Sequence, residues 1–517
     1  MPPVNPNEQA ESRKLLHEAM SLHRAGRIEA ADECYARFLA VEPQHAQALR
    51  LRGVLLREQG DAGTALALLQ QACAAAPDDA EAAAELGLCH LATGELLQAE
   101  KALREAVRLA PDHLRALANL GALLQYRGHV DAAVDCHRRA LALDPDDIEV
   151  RCNLINTLLE AGRGVEALAE SDAALKDWPG RALLLVARGA VLCGIERYAE
   201  AVADLERALK IQPADDMALI NLGLARRMLG EHEAAIAILH TAVRINPDNA
   251  RATADLANLL AAHDQMGAAL SLCETFLRRH PGECLVLTVY AYALRDAGRA
   301  DEARQILDLE HCVRVIEPVV PAGFADLADF NAQLARCITN DPSLNANPLG
   351  KSTRLGGQTG ELDLDAHPAL SALRELINTA VRDSAEYFRR TGLATHPMMA
   401  RASDRWTLRV WGTVLGPGGH QAPHMHPLGW LSGAYYVRVP QDMQPLPDAA
   451  DSRSIAGALE FSRPPERLLV RAPAELRVVA PREGRLALFP SAFYHRTIPF
   501  TSGEKRISIA FDAMPVR

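Results

Sequence analysis

Residues 118–145 read ANLGALLQYRGHVDAAVDCHRRALALDP, and four marks in this stretch return along the chain at one fixed step. The proline recurs as Pro43, Pro77, Pro111, Pro145, Pro179, Pro213, Pro247 and Pro281, each 34 residues after the last. A small residue ten positions after the proline appears as Gly53, Gly87, Gly121, Gly189 and Gly223. A second glycine appears as Gly26, Gly60, Gly94, Gly128, Gly162, Gly230 and Gly298. An alanine stands at Ala31, Ala65, Ala99, Ala133, Ala167, Ala201, Ala235, Ala269 and Ala303. The first glycine and the alanine let two helices approach closely. The second glycine turns the chain between them, and the proline ends the second helix.

This pattern resembles the tetratricopeptide repeat, a helix-turn-helix unit with the same period. About nine units cover residues 10–308. A single unit cannot bury its apolar face, so the resemblance implies an all-α superhelix of stacked units with a concave groove. Asn119, Asn153 and Asn221 share one repeat position, in ANLG, CNLI and INLG, on the first helix of their units. An inward ladder of amides would bind the backbone of an extended peptide without reading its side chains. It is similar to the asparagine ladder of the O-linked N-acetylglucosamine transferases, although Leu51, Glu85, Ala187 and Asp255 interrupt it. The alternative reading is that asparagine there serves packing or capping.

The totals agree with a multidomain protein. A chain of 517 residues exceeds one ordinary core, and 4% aromatic content with abundant alanine and leucine favours helix. A formal net charge of −11 argues against a phosphate-binding surface, so no nucleic-acid partner is expected. The ten cysteines include no CxxC pair and read as small buried residues in a reducing compartment. The N-terminal stretch MPPVNPNEQAESRK lacks the apolar region of a secretory signal, and no run is long enough to cross a bilayer. The expectation is a cytoplasmic protein without a membrane partner; the oligomeric state stays open.

After Pro281 the period fails, since Val315 stands where the next proline would fall. The boundaries expected are disorder over 1–9, repeats over 10–308, a linker over 309–324 and a separate α+β domain over 325–517. FADLADFNAQLARCI and PALSALRELINTAVRDSAEYFRR have helical spacing, and NDPSLNANPLGKSTRLGGQTGELDLD between them reads as loop. From Trp406 onward short β-rich runs take over: WTLRVWGTVL, LSGAYYVRV, LEFSR, LRVVA, GRLALFP and RISIAFDAM. Strands at such spacing suggest a barrel or sandwich.

Within that region APHMHPLGWLSGAYYV places His424 and His426 two residues apart, and side chains at that spacing leave an extended chain on one face. His495 follows the later run GRLALFPSAFYHRTIPF. In EKRISIAF, Arg506 and Ser508 share the face opposite Ile507 and Ile509, and an arginine there wants an anionic partner. H-x-H, a distant His and R-x-S together resemble the iron(II)/2-oxoglutarate-dependent oxygenases. More narrowly, HMHPLGWLSGAYYV and GRLALFPSAFYHRTIP resemble an oxygenase family marked by H-x-H-P, S-G-x-Y-Y and F-P-S followed by His and Pro.

The resemblance implies a double-stranded β-helix of jelly-roll or cupin type with Fe(2+) held by His424 and His495. It implies 2-oxoglutarate paired to Arg506 and supported by Ser508, with O2 as co-substrate. His426 stands where the family usually has a carboxylate. Either it ligates, giving a three-histidine centre, or it stands back while water or substrate completes the coordination. Tyr435 and Tyr436 alternate across their strand, so one, with Tyr436 the candidate, reaches the co-substrate while the other packs. His420, in GPGGHQAP, reads as a loop histidine, and Trp411 and Trp430 as packing. The implied activity is a dioxygenase that hydroxylates a protein or peptide side chain presented by the repeat groove. A small-molecule oxygenase and a non-catalytic scaffold with a relic barrel are the rivals.

Overall fold

A computed structural model describes residues 6–317, 319–346, 351–443 and 456–516. Successive helix pairs run from α1 (Pro6–Arg24) with its partner Ile28–Val41 to α17 (Cys284–Asp296) with α18 (Ala300–Ile306). From the second pair onward the first helices start at Ala46, Ala80, Leu114, Ile148, Ala182, Asp216, Ala250 and Cys284, the same 34-residue step. The helix α1 begins at Pro6, within the segment 1–9 expected to be disordered, and residues 1–5 lie outside the described residues.

Each repeat mark sits where its chemistry requires. A Cβ built on Gly53, Gly87, Gly189 or Gly223 would come within 2.6–2.9 Å of Leu69, Leu103, Leu205 or Leu239 on the partner helix. The glycine therefore sets how closely the pair packs. The repeat alanines from Ala31 to Ala303 are buried. The turn glycines have φ between +70° and +88°, and where the turn lacks glycine, Glu196 and Asp264 adopt φ of 63° and 57°. The left-handed turn is thus fixed by the helix pair around it, and glycine only makes it easier.

At one pair the partner of the close-approach glycine is polar. His137 occupies the place of Leu69 and Leu103, is fully buried against Gly121, and neither ring nitrogen has a hydrogen-bond partner among the described residues. Burial lowers its pKa to about 4. Between that value and the ordinary pKa of about 6.5 the unfolded chain binds the extra proton, so this histidine weakens the fold as pH falls through the window. His137→Leu is expected to raise stability at pH 7 by about 1–3 kcal/mol and to flatten the loss below pH 6.5, read by denaturant melts at several pH values.

The chain divides into two compact units, Met1–Thr157 and Leu158–Arg517. The division falls within the repeats and not at residues 309–324, because the later repeats share a core with the β-rich part. Leu287 and Leu294 of α17 belong to one apolar cluster with Phe330 and Leu334 of α20 (Leu327–Thr339). The same cluster takes in Leu373 and Ile377 of α21 (Pro368–Arg390) and Phe511. The expected linker also contributes ordered elements, α19 (Leu309–Cys312) and β1 (Arg314–Ile316), and β1 pairs with β8 (Leu486–Pro490).

The β-rich part holds two antiparallel sheets. The larger has the order β1-β8-β5-β10-β4-β3-β2, with β5 at Leu431–Arg438, β10 at Arg506–Pro515, β4 at Trp406–Gln421, β3 at Thr353–Gln358 and β2 at Asn345–Ala346. The smaller is β7 (Arg477–Val479), β6 (Leu459–Phe461) and β9 (His495–Thr497). Strands β2 and β3 correct the expectation of loop there. Gly356 lies so close to β4 that a Cβ would meet Leu415 at 2.6 Å, and a register shift separates Arg354 from Gly356. Glycines that read as turn in sequence mark a bulged edge strand. Among the described residues no helix is long and apolar enough to cross a membrane.

Candidate metal and anion site

The three imidazoles meet where the sheets approach each other. His424 and His495 form an isolated antiparallel bridge, exchanging N–H···O bonds of 3.0 and 2.9 Å, and the His426 amide donates to the Ser491 carbonyl at 3.0 Å. Their ring centroids lie 4.2 Å (His424–His495), 5.1 Å (His424–His426) and 5.1 Å (His426–His495) apart. One ring nitrogen from each falls within 4.8 Å of the others.

Hydrogen bonds fix which nitrogen faces inward. His424 Nδ1 sits 2.9 Å from the Ala422 carbonyl, and His495 Nδ1 sits 3.1 Å from the Phe493 carbonyl. His426 Nδ1 lies 2.7 Å from Asp512 Oδ1. All three partners only accept, or accept when ionised, so each Nδ1 carries a proton and each Nε2 keeps its lone pair. The Nε2 of His426 is buried without a partner among the described residues. Burial, then the neighbouring His426, lowers the His424 pKa to about 3, and burial beside the other two rings holds His495 well below its ordinary value. Three clustered imidazoles, with burial favouring the uncharged form of His424 and His495, are a donor set that suits iron or zinc.

Asp512 was not singled out from the sequence. It lies on β10, opposite Ser432 of β5, and is buried. Ser432 Oγ donates to its Oδ1 at 2.6 Å and contacts Ser491 Oγ at 2.8 Å. The carboxylate therefore orients His426 from behind, as outer-shell carboxylates do in histidine metal sites. Trp411 stacks on His426 at 5.4 Å and 18°, and Trp430 is buried.

Arg506 is 1% exposed. Its Nη1 reaches Ser508 Oγ at 3.3 Å, its Cζ lies 4.9 Å from the Tyr436 ring centre, and Nε and the Tyr436 hydroxyl have no hydrogen-bond partner among the described residues. No carboxylate is paired with it among the described residues, and burial lowers its pKa. Arg506, Ser508 and Asp512 leave the same face of β10, so the guanidinium and the His426–Asp512 pair border one side of the sheet. Tyr435 points the other way, its hydroxyl donating to Asn331 Oδ1 at 2.8 Å.

His420 is not in a loop: it lies in β4 opposite Arg354, with Nδ1 3.0 Å from the Gly418 carbonyl. The loops that lead out of His426 and into His495 are each clamped from outside the sheets. Arg401 donates to the Pro427 and Leu428 carbonyls at 2.6 and 2.7 Å, and Thr288 of α17 donates to the Ala492 carbonyl at 2.7 Å. An open cleft of about 840 Å³ borders Pro427 and Leu428, but none of His424, His426 and His495 lines it.

Residues 409–512 match the family model described as "Putative 2OG-Fe(II) oxygenase". Tetratricopeptide models match residues 16–80, 187–250 and 226–283, and one described as the middle TPR-like domain of cilia and flagella-associated protein 70 matches 56–177. The chain carries tetratricopeptide repeats and a C-terminal domain of this 2OG-Fe(II) oxygenase family. No curated protein matches the chain. Similar solved structures include a tetratricopeptide repeat protein from Parabacteroides merdae ATCC 43184, at 17% identity over 46% of this chain and 93% of that one, TM-score 0.39. Another is YrrB, titled a TPR protein with an unusual peptide-binding site, at 23% identity over 36% and 97%, TM-score 0.33. A third is pilF of Pseudomonas aeruginosa, at 24% identity over 40% and 94%, TM-score 0.34.

The asparagines sit on the first helices of the repeats, all partly buried. Asn119 and Asn153 belong to the first unit and Asn221 to the second. Asn119 Nδ2 donates to its own helix at the Arg115 carbonyl, 2.7 Å, while Asn221 Nδ2 is buried without a partner among the described residues. In the second unit Asn258, three positions along from the expected column at Asp255, accepts the Leu469 amide at 3.4 Å.

Proposed function

We propose that the C-terminal domain is an iron(II)- and 2-oxoglutarate-dependent oxygenase, built on a double-stranded β-helix, that hydroxylates a protein or peptide side chain. The observation that carries this reading is Arg506. A guanidinium buried without a carboxylate is costly to fold around, and it shares a strand face with the residue that orients His426. A metal-only site has no use for such a group, whereas a dicarboxylate co-substrate supplies its missing charge. Two antiparallel sheets, with the His424–His495 bridge tying β9 of the smaller one to the segment between β4 and β5, suit the proposed fold.

His424, His426 and His495 would hold the iron through Nε2. Arg506, with Ser508 and the Tyr436 hydroxyl, would hold the far carboxylate of 2-oxoglutarate. Bound iron(II) and keto acid would supply the electrons that activate O2. The chain's own residues orient and insulate. The Ala422 and Phe493 carbonyls and Asp512 keep each Nδ1 protonated and each ring fixed, and Trp411 stacks over one face of the His426 ring. Asp512 places a negative charge behind His426, where the usual first-sphere carboxylate is missing. An anaerobic titration with Fe(II) and 2-oxoglutarate is expected to give a visible charge-transfer band that saturates with both. Absence of the band, with iron bound, would remove the co-substrate from this reading.

A further inference from the structure

The insertion between β6 and β7 does not close as a simple hairpin. Residues 467–473 lie as irregular chain against the first helices of three successive pairs, α13 (Asp216–Met228), α15 (Ala250–Ala262) and α17. Their main chain is bound at each. Arg227 of α13 donates to the Arg467 carbonyl at 2.9 Å. Asn258 of α15 accepts the Leu469 amide at 3.4 Å. Asp296 of α17 accepts the Arg471 amide at 3.1 Å and the Ala472 amide at 2.7 Å, and Arg295 donates to the Pro473 carbonyl.

Two side chains anchor the segment. Leu468 packs against the apolar clusters of the last repeats, next to Ala261, Val289 and Tyr292. Arg471 pairs with Asp264 at 2.9 Å and donates to the Ala262 carbonyl at 2.5 Å. Leu469, Arg471 and Pro473 are otherwise exposed.

We propose that this face of the repeats is a polypeptide-binding track occupied in cis by residues 467–473. It would accept in their place an extended peptide carrying an apolar residue followed three positions later by an arginine or lysine. Recognition is mainly of backbone amides and carbonyls, which every peptide offers, so the occupant is exchangeable. Asp264, which pairs with the Arg471 guanidinium, sets the preference for a basic residue, while Asp296 holds the main chain. The cis segment is tethered at both ends, so a competitor works against a high effective concentration. The proposal concerns the repeats and stands whether or not the histidine site oxidises anything.

The test uses the full chain and a fluorescein-labelled peptide of residues 463–475. Leu468→Ser with Arg471→Ser should free the track, and fluorescence anisotropy should show the peptide binding that variant about tenfold or more tighter than the unmodified chain. Adding Asp296→Ala should reverse the gain. Equal binding to both chains, or a gain indifferent to Asp296→Ala, overturns the proposal. Should the double variant fail to fold, hydrogen exchange of the unmodified chain decides instead. Excess peptide is expected to speed exchange at the Leu469, Arg471 and Ala472 amides, and unchanged rates overturn the proposal.

Discussion

Arg506→Met is expected to weaken 2-oxoglutarate binding by about thirtyfold or more while raising the melting temperature of the ligand-free protein. The two effects have one cause. In the free protein the guanidinium has lost its water and gained only a long bond to Ser508 and the face of Tyr436. Leaving a buried charged donor short of partners costs on the order of 1–3 kcal/mol or more, and methionine keeps the stem volume without that cost. With the dicarboxylate bound the balance reverses, because removing one partner of a buried charge pair costs about 2–5 kcal/mol. Calorimetric titration of 2-oxoglutarate and thermal melts of the same two proteins check both signs. A variant less stable than the parent and equally good at binding the keto acid would make Arg506 a structural arginine.

Asp512→Asn should lower the affinity for Fe(II) by about 10–100-fold, the usual range for an outer-shell partner of a ligating histidine. The asparagine keeps an oxygen for His426 Nδ1 and for Ser432 Oγ, so the ring stays oriented but the negative charge behind it is gone. Asp512→Ala, which also releases the ring, should fall further. Anaerobic competition with a chromogenic chelator measures both. If neither substitution changes iron affinity, His426 is not a ligand, and the centre consists of His424 and His495 completed by water or substrate.

A good part of the site was legible because it follows local rules. The H-x-H spacing puts two imidazoles on one face, and the alternation in EKRISIAF puts Arg506 and Ser508 on the face opposite the apolar side chains. Asp512 was not legible. FDAM is an ordinary strand end in sequence, and only the register of β10 against β5 brings its carboxylate to Ser432 and His426. The edge strand β3 was hidden for a related reason, since its Gly-Gly pair has the composition of a turn and the need for glycine arises from contact with β4.

The repeats show the same division. Period, turn and close-approach positions are set within each 34-residue unit, because nearest neighbours in sequence are nearest neighbours in space, and the sequence alone determined them. Residues 467–473 lie between the runs LEFSR and LRVVA, and their binding partners lie more than 170 residues earlier on three separate helices. The tertiary structure alone decided that contact, and likewise the clamping of the histidine loops by Arg401 and Thr288. Backbone groups carry no side-chain signature, so a site made to recognise them leaves none in the segment it binds.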